Sequence, residues 1–387
     1  MKIISVVGAR PNFMKIAPFI KAVANYNSKT NTKIEHILVH TGQHYDDRMS
    51  RTFFEELNIP DADINLGIGS GSHAEQVGNT MIAFEKVLLE ETPDWVIVVG
   101  DVNATLACSV TAKKLNISVC HIEAGLRSGD ETMPEEINRL VTDRLSDLLL
   151  TPDTMSSENL RKEGVPEYKI EFVGNIMIDT LENNRDKASL LSISEILNKN
   201  VIKGISSFEA TSFENSDFGL ITMHRPSNVD DLKILTNLID WMIDYAAVKV
   251  PLIWPIHPRT LKRIEEFGLL DKIKNCDNLF LTYPLSYFEL LRLNMQAKIM
   301  LTDSGGLQEE CCVLGTPFLT LRWNTERPIT LVENGGAGYI VGNNISRIEK
   351  EFNQIIQEKR KPNRPELWDG NTADRCLKAI LNYKTVK

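Results

Sequence analysis

The run LTDSGGLQEE at residues 301–310 places two glycines and two carboxylates at a predicted junction between a strand and a helix. Gly305 and Gly306 leave backbone N–H groups uncovered at the start of that helix, where free donors and partial positive charge bind phosphate. The carboxylates of Glu309 and Glu310, one turn further on, are better placed to accept from sugar hydroxyls. The run therefore predicts a nucleotide-sugar site. The alternative is an ordinary helix start, with Glu favoured by the helix dipole.

Three carboxylates in the first half of the chain are predicted to converge on one pocket. Asp101 and Glu123 end successive strands, and Glu135 lies in the first turn of a helix. Crowded carboxylates repel, so some hold protons near neutral pH, which suits a site that needs both an acid and a base. A buried Glu needs a partner, for which Arg127 is available to Glu123, and Arg139 is spaced to pair with Glu135. Simple helix capping is the alternative for Asp101 and Glu135.

Several cations follow predicted strands. Arg10 and Lys15, in GARPNFMK, flank a helix N-terminus, where cations oppose the helix dipole unless an anion is bound. The alternative is two solvated surface charges. In the second half His224, His257 and Arg327 also follow strands, and His224, next to another cation after a buried strand, is the stronger functional candidate of the two histidines.

The elements that position these residues predict an α/β protein. Short apolar runs rich in Val and Ile alternate with helix-period segments, a pattern typical of parallel sheets covered on both faces. Ligands of such sheets bind outside the carboxyl ends of the strands. Strands are predicted at residues 2–7, 34–40, 95–100, 117–123, 148–151, 170–173, 219–223, 252–255, 279–281, 297–301 and 317–321. Helices are predicted at residues 13–26, 74–91, 135–146 and 372–383, and residues 183–217 are predicted to space two domains.

Composition narrows the class of protein. The 387 residues are 42% hydrophobic and 25% charged, with a net charge of −9, which argues against nucleic-acid or membrane-surface binding. The six cysteines form no CxxC pair, so neither zinc nor a disulfide framework is indicated. The N-terminus runs directly into a strand, and no apolar run reaches about 18 residues. We therefore expect a soluble cytoplasmic protein.

Taken in order, the motifs resemble the non-hydrolysing UDP-N-acetylglucosamine 2-epimerase family. The matching runs are GARPNFMK at 8–15, HTGQH at 40–44, GD at 100–101, HIEAGLR at 121–127, PEEINR at 134–139, HR at 224–225, HPRT at 257–260, DSGGLQEE at 303–310 and TERP at 325–328. The resemblance implies glycosyltransferase-B architecture, with two Rossmann-like domains and an active site in the cleft between them. The implied domains are 1–176 with 370–387, whose last helix crosses back, and a UDP-binding domain at 177–369.

The resemblance also implies a reaction and residue roles. The family interconverts UDP-N-acetylglucosamine and UDP-N-acetylmannosamine through elimination of UDP and 2-acetamidoglucal, without metal or nicotinamide cofactor. A homodimer and a role in surface polysaccharide or capsule synthesis are implied as well. The implied catalytic residues are Asp101, Glu123, Glu135 and His224. The implied substrate-binding residues are Arg10, Lys15, His257, Ser304, Gly305, Gly306, Glu310 and Arg327.

Four other functions stay open at the level of sequence. The first is a 2-epimerase of a modified UDP-sugar such as UDP-2,3-diacetamido-glucuronic acid. The second is a hydrolysing 2-epimerase that releases free N-acetylmannosamine. A glycosyltransferase and a non-catalytic nucleotide-sugar binding protein are the others.

Overall fold

The computed structural model describes residues 1–42, 59–205 and 213–384, apart from the side chain of Arg10. The chain forms two compact units, Met1–Asn183 with Pro365–Lys387 and Asn184–Arg364. Among the described residues, no helix is long and apolar enough to cross a membrane.

The first unit is built on a seven-stranded parallel sheet with the order β3-β2-β1-β4-β5-β6-β7. The order reverses between β1 and β4, and in such sheets ligands bind beside this reversal, outside the carboxyl ends of the strands. The strands are β1 Lys2–Val7, β2 Glu35–His40, β3 Ile64–Asn65, β4 Trp95–Val99, β5 Ser118–Ile122, β6 Leu148–Thr151 and β7 Ile170–Phe172. The helices are α1 Arg10–Lys29, α2 His73–Glu91, α3 Asn103–Lys114, α4 Pro134–Leu145, α5 Thr154–Lys162 and α6 Ile176–Ser189, the last of which runs on into the second unit.

The second unit repeats this topology with six parallel strands in the order β10-β9-β8-β11-β12-β13, which reverses between β8 and β11. Its strands are β8 Gly219–Thr222, β9 Leu252–Pro255, β10 Leu279–Thr282, β11 Ile299–Thr302, β12 Phe318–Thr320 and β13 Gly338–Ile340. Its helices are α7 Ile193–Asn200, α8 Leu232–Trp241, α9 Pro258–Glu266, α10 Tyr287–Gln296, α11 Gly305–Leu314 and α12 Ile345–Ile355. Shorter helical turns span Pro226–Val229, Met242–Ala246, Ala247–Lys249 and Leu270–Lys274.

Central strands lack polar alternation because both faces of each sheet are covered. All five residues of β4, WVIVV, are buried, and so are all four of β11, IMLT. A half-exposed strand would alternate apolar and polar side chains, so continuous burial fits helices packed on both faces. The predicted α/β class with two Rossmann-like sheets is confirmed.

The terminal helix α13, Thr372–Asn382, belongs to the first unit. Its first backbone N–H groups, from Thr372 and Ala373, donate to the buried carboxylate of Asp179 at 3.0 and 2.7 Å. Just before it, the Trp368 indole donates to the carbonyl of Pro152 at 2.9 Å. These contacts fasten the end of the chain to α6 and to the end of β6.

Candidate active site

The turn after β1 is fastened across the point where the first sheet reverses. The Asn12 amide oxygen accepts from the N–H groups of Gly8 and Ala9 at 3.3 and 3.0 Å, and its NH₂ donates to the carbonyl of Val99 at 2.8 Å. Asn12 is buried, so this side chain replaces solvent for three backbone groups. Arg10 begins α1 within this turn, and its side chain lies outside the described part of the chain.

Lys15 and Glu123 form a buried ion pair at this edge of the sheet. Glu123 follows β5 and has a φ of +74°, in the left-handed region that costs a non-glycine residue about 1–3 kcal/mol. Gly100, just before Asp101, lies against the pair, since a Cβ there would be 3.2 Å from the Lys15 ammonium. The predicted pairing of Glu123 with Arg127 is wrong, because Lys15 reaches Glu123 from a helix 108 residues away in sequence.

Asp101 is half-buried and accepts two hydrogen bonds from the buried Arg139 guanidinium, at 3.1 and 2.6 Å. The same guanidinium pairs with Glu136. Glu136 also accepts from the N–H groups of residues 128 and 129 at 3.0–3.1 Å, so its carboxylate holds the loop before α4 in place. Glu135, one residue earlier, is half-buried. The structure therefore assigns Glu136 to the scaffold and leaves Asp101 and Glu135 accessible at the edge of the first unit.

In the second unit, α11 begins with the two glycines after β11. Ser304 is its N-terminal cap, and the Ser304 side chain makes no capping hydrogen bond. Gly305 is required by packing, since a Cβ there would be 2.5 Å from the Arg327 guanidinium. A Cβ on Gly306 would meet no atom within 4 Å. Gly306 therefore faces open space at the positive end of a helix, a place suited to phosphate.

Asp303, which the sequence analysis did not select, organises the turn after β8. It is fully buried, and its Oδ2 accepts from the N–H groups of His224 and Arg225 at 2.9 and 2.8 Å and from Asn228 at 3.1 Å. Its Oδ1 lies 2.9 Å from His224 Nδ1. Burial raises the pKa of Asp303, but the hydrogen bonds and the charge of His224 outweigh it, so the pKa lies below its ordinary value. Asp303 therefore lies against Nδ1 of His224, whose side chain is partly exposed, so that the other ring nitrogen can meet a ligand.

His257 lies beside His224, with ring centroids 5.4 Å apart. Its Nδ1 accepts from the N–H of Arg259 at 3.2 Å, which leaves Nε2 as the donor. Burial lowers the pKa of His257, and the neighbouring His224 lowers it further. Of the two predicted histidines, His224 therefore lies against a carboxylate, whereas His257 favours its neutral form.

Arg327 and the carboxylates of α11 form a buried cluster. The Arg327 guanidinium donates to Glu309 at 2.7 Å and pairs with Glu326. Glu309, predicted to accept from sugar hydroxyls, is a buried counterion instead. Glu310 contacts the Tyr287 hydroxyl, and burial with the adjacent Glu309 charge raises the pKa of Glu310 to about 8. At neutral pH Glu310 is a protonated acid, which has both a donor and an acceptor for a hydroxyl-bearing ligand.

Each unit offers a different set of chemical groups. The edge of the first sheet offers carboxylates backed by cations, which can take up and return protons. The second offers helix amides, an imidazole and a guanidinium, which can hold a diphosphate. The structure thus places every predicted site residue that it describes at the carboxyl edge of its own sheet or in the helix that follows.

The chain is similar to known nucleotide-sugar epimerases. Residues 27–381 match the family model described as UDP-N-acetylglucosamine 2-epimerase. A protein of that name from Methanocaldococcus jannaschii is 42% identical over 385 residues, which cover 99% of each chain. A UDP-2,3-diacetamido-2,3-dideoxy-D-glucuronate 2-epimerase from Pseudomonas aeruginosa is 38% identical over 344 residues, 88% of each chain. The crystal structure of Methanocaldococcus jannaschii UDP-GlcNAc 2-epimerase in complex with UDP-GlcNAc and UDP superposes with a TM-score of 0.86 at 41% identity, covering 99% of this chain and 100% of that one.

Proposed function

Because the chain belongs to the UDP-N-acetylglucosamine 2-epimerase family, we propose that it interconverts UDP-N-acetylglucosamine and UDP-N-acetylmannosamine by the non-hydrolysing route. One observation carries the proposal: the buried Lys15–Glu123 pair, in which Glu123 keeps a left-handed backbone. A strained, buried carboxylate beside a cation is costly for a fold and useful for proton transfer.

Departure of UDP comes first in the proposed reaction. The bond between C1 and the diphosphate oxygen breaks and its electron pair leaves with UDP, so that C1 becomes cationic. The amides of Gly305 and Gly306, with His224 and Arg327, would stabilise the leaving charge, since oriented donors act most strongly where charge develops. Asp303 supports this role because it contacts both the backbone N–H and Nδ1 of His224 at 2.9 Å.

Proton transfer at C2 follows. The cationic C1 acidifies the C2 proton, a carboxylate removes it, and the electron pair of that bond forms the double bond of 2-acetamidoglucal. A second acid then returns a proton to the opposite face, and the diphosphate oxygen re-forms its bond to C1. The candidates for these steps are Asp101, Glu123 and Glu135, and general acid–base catalysis of this kind contributes about 10²–10⁴-fold.

The binding of the rest of the nucleotide belongs to the same proposal. Glu310 would hold the ribose hydroxyls, His257 would contact the substrate, and Arg10 with Lys15 would approach the diphosphate. A homodimeric assembly, a cytoplasmic location and a role in polysaccharide synthesis remain predictions. Light scattering after size exclusion tests the homodimer.

Proton NMR in D₂O tests the function directly. Purified protein is incubated with UDP-N-acetylglucosamine and, separately, with UDP-2,3-diacetamido-2,3-dideoxy-D-glucuronate. The expected result is UDP-N-acetylmannosamine with deuterium at C2. Release of UDP with free N-acetylmannosamine would show hydrolysis instead, and turnover of the second substrate alone would reassign the enzyme to the reaction named for its Pseudomonas aeruginosa relative.

A further inference from the structure

A fully buried histidine, His121, is the second-last residue of β5 and lies two positions before Glu123. Its Nδ1 lies 2.6 Å from Asp143 Oδ1, and its Nε2 lies 2.9 Å from the carbonyl oxygen of Gly100. A carbonyl and a carboxylate both accept hydrogen bonds, whereas a neutral imidazole has only one N–H to donate. Both contacts are therefore satisfied together when His121 is an imidazolium and Asp143 is a carboxylate.

The surroundings of Asp143 favour its ionised form. Its second oxygen accepts from the Gly125 N–H at 3.0 Å and from the Arg127 guanidinium at 2.7 Å. Burial raises the pKa of Asp143, but His121 and Arg127 outweigh burial and lower it. Arg127 in turn pairs with Glu163 through two contacts at 2.7 Å. Asp143 therefore lies between His121 and Arg127, and the pair of Arg127 with Glu163 extends this network to the exposed surface.

The two oxygens of Asp143 contact residues on either side of Glu123 in the chain. One contacts His121, two residues before Glu123, and the other contacts the Gly125 N–H, two residues after it. Between these two fixed points Glu123 has its left-handed φ of +74°. Through Gly100, the same histidine also holds the backbone that leads directly into Asp101.

We propose that the Asp143–His121 ion pair is a positioning clamp, which holds Glu123 in its left-handed conformation and fixes the Gly100–Asp101 turn. Neither residue acts on substrate; both act through the carboxylates that they place. The clamp itself depends only on the structure, and its effect on turnover rests on the proposed epimerase function.

The test uses Asp143→Asn, with Asp147→Asn as a matched control. Asp147 precedes β6 and lies beside the start of β5, where it accepts from the Val119 N–H at 2.9 Å and pairs with Lys113 at 2.7 Å. Both variants remove a carboxylate that accepts from a backbone N–H in β5 or shortly after it, so both should lose stability. Ring ¹⁵N spectra of wild type, assigned with His121→Asn, report whether both nitrogens of His121 carry protons. Crystal structures report the φ of Glu123, and turnover and UDP titrations separate kcat from UDP binding.

We expect both nitrogens of His121 to be protonated in wild type at pH 7.5. In Asp143→Asn, Glu123 should leave the left-handed region and kcat should fall at least about tenfold, with the Kd for UDP unchanged. In Asp147→Asn, the conformation of Glu123 and kcat should stay as in wild type. An unprotonated nitrogen in wild type would overturn the clamp, and so would an unchanged Glu123 φ in Asp143→Asn. If Asp143→Asn does not fold, the wild-type ring spectrum decides. A wild type that turns over no UDP-sugar would refute the proposed function, while the spectra and φ values would still decide the clamp.

Discussion

The two units have the same strand order around the point where each sheet reverses. The residues that follow the strand ends, however, are carboxylates in the first candidate site and cationic or imidazole groups in the second. In the first unit the carboxylates Glu123 and Asp101 follow the strand ends and pair with the buried cations Lys15 and Arg139. In the second unit the arrangement is inverted. There an imidazole and a guanidinium follow the strand ends and pair with buried carboxylates.

The inverted pairs of the second unit are His224 with Asp303 and Arg327 with Glu309. Strand order therefore decides where a site forms, while the residue types at the strand ends decide whether the site handles protons or holds an anion. In each unit the residue at the strand end lies against a buried group that can carry the opposite charge, which is the pairing that a buried charge requires.

The sharpest test of this comparison is Glu123→Gln, which keeps the shape and removes the proton acceptor. We expect kcat to fall about 10²–10⁴-fold, because an amide cannot take the C2 proton. UDP affinity should not change, because Glu123 is not among the groups proposed to hold the diphosphate. Full activity would refute the proton-transfer role. Glu167→Gln, at an exposed residue paired with Arg161, is the control and should keep wild-type turnover.

Asp303→Asn tests whether the second unit depends on its buried carboxylate in the same way. The amide cannot accept from all of its present partners, so His224 loses its fixed orientation. We expect kcat/KM to fall about 100-fold and the free energy of unfolding to fall by about 1–3 kcal/mol. Steady-state kinetics and urea titration measure the two effects. Asp230→Asn removes a more exposed carboxylate paired with Arg259 and Arg263, and equal losses there would show that Asp303 has no special role.

Gly306→Ala separates folding from ligand binding in the second unit. The new Cβ meets no protein atom within 4 Å, and Ala favours a helix over Gly by up to about 1 kcal/mol. We expect equal or greater thermal stability together with a roughly tenfold weaker Kd for UDP by calorimetry, about 1.4 kcal/mol. Gly78→Ala, at a helical glycine of the first unit that also faces open space, should stabilise without changing the Kd. Unchanged UDP affinity in Gly306→Ala would place the phosphate elsewhere.

The smallest effect concerns the pH dependence of stability. The pKa of Glu310 is raised from 4.5 to about 8 in the folded protein, so the folded state holds a proton that the unfolded chain has released. Its stabilising contribution is complete below pH 4.5 and is lost as the pH rises through 8. Glu310→Gln should therefore flatten the decline in urea midpoint between pH 5 and 9 relative to wild type. Parallel pH curves for the two proteins would show that Glu310 is ionised in the folded state.

Most strands of the fold were predictable from sequence, because residues such as those of β4 are apolar without a break. Two edge strands were not. β3 has two residues, too few to show a pattern. β13 begins with Gly338 in a glycine-rich stretch, and only the packing explains that glycine, since a Cβ there would be 2.0 Å from the Phe318 ring.

For the site, the sequence indicated which groups lie at strand ends but not which groups support them. Lys15 was predicted to lie near an anionic ligand, and the sequence did not show that it also pairs with Glu123 within the protein. Asp303 resembles an ordinary residue before a helix, and its role depends on the turn after β8 that folds against it. Such pairings join segments far apart in the chain, so local spacing carries no signal for them. The roles of the predicted site residues in the reaction remain predictions until the variants above are measured.

The attachment of α13 has a consequence for synthesis on the ribosome. All of the second unit emerges before residues 365–382 do, yet the first unit, begun at the N-terminus, needs those residues to complete it. Until they arrive, the Asp179 carboxylate lacks the amides of Thr372 and Ala373, and Pro152 lacks the Trp368 indole. At a translation rate of about 5–20 residues per second, the first unit therefore remains incomplete until α13 has been synthesised. The second unit already has every strand of its own sheet by then.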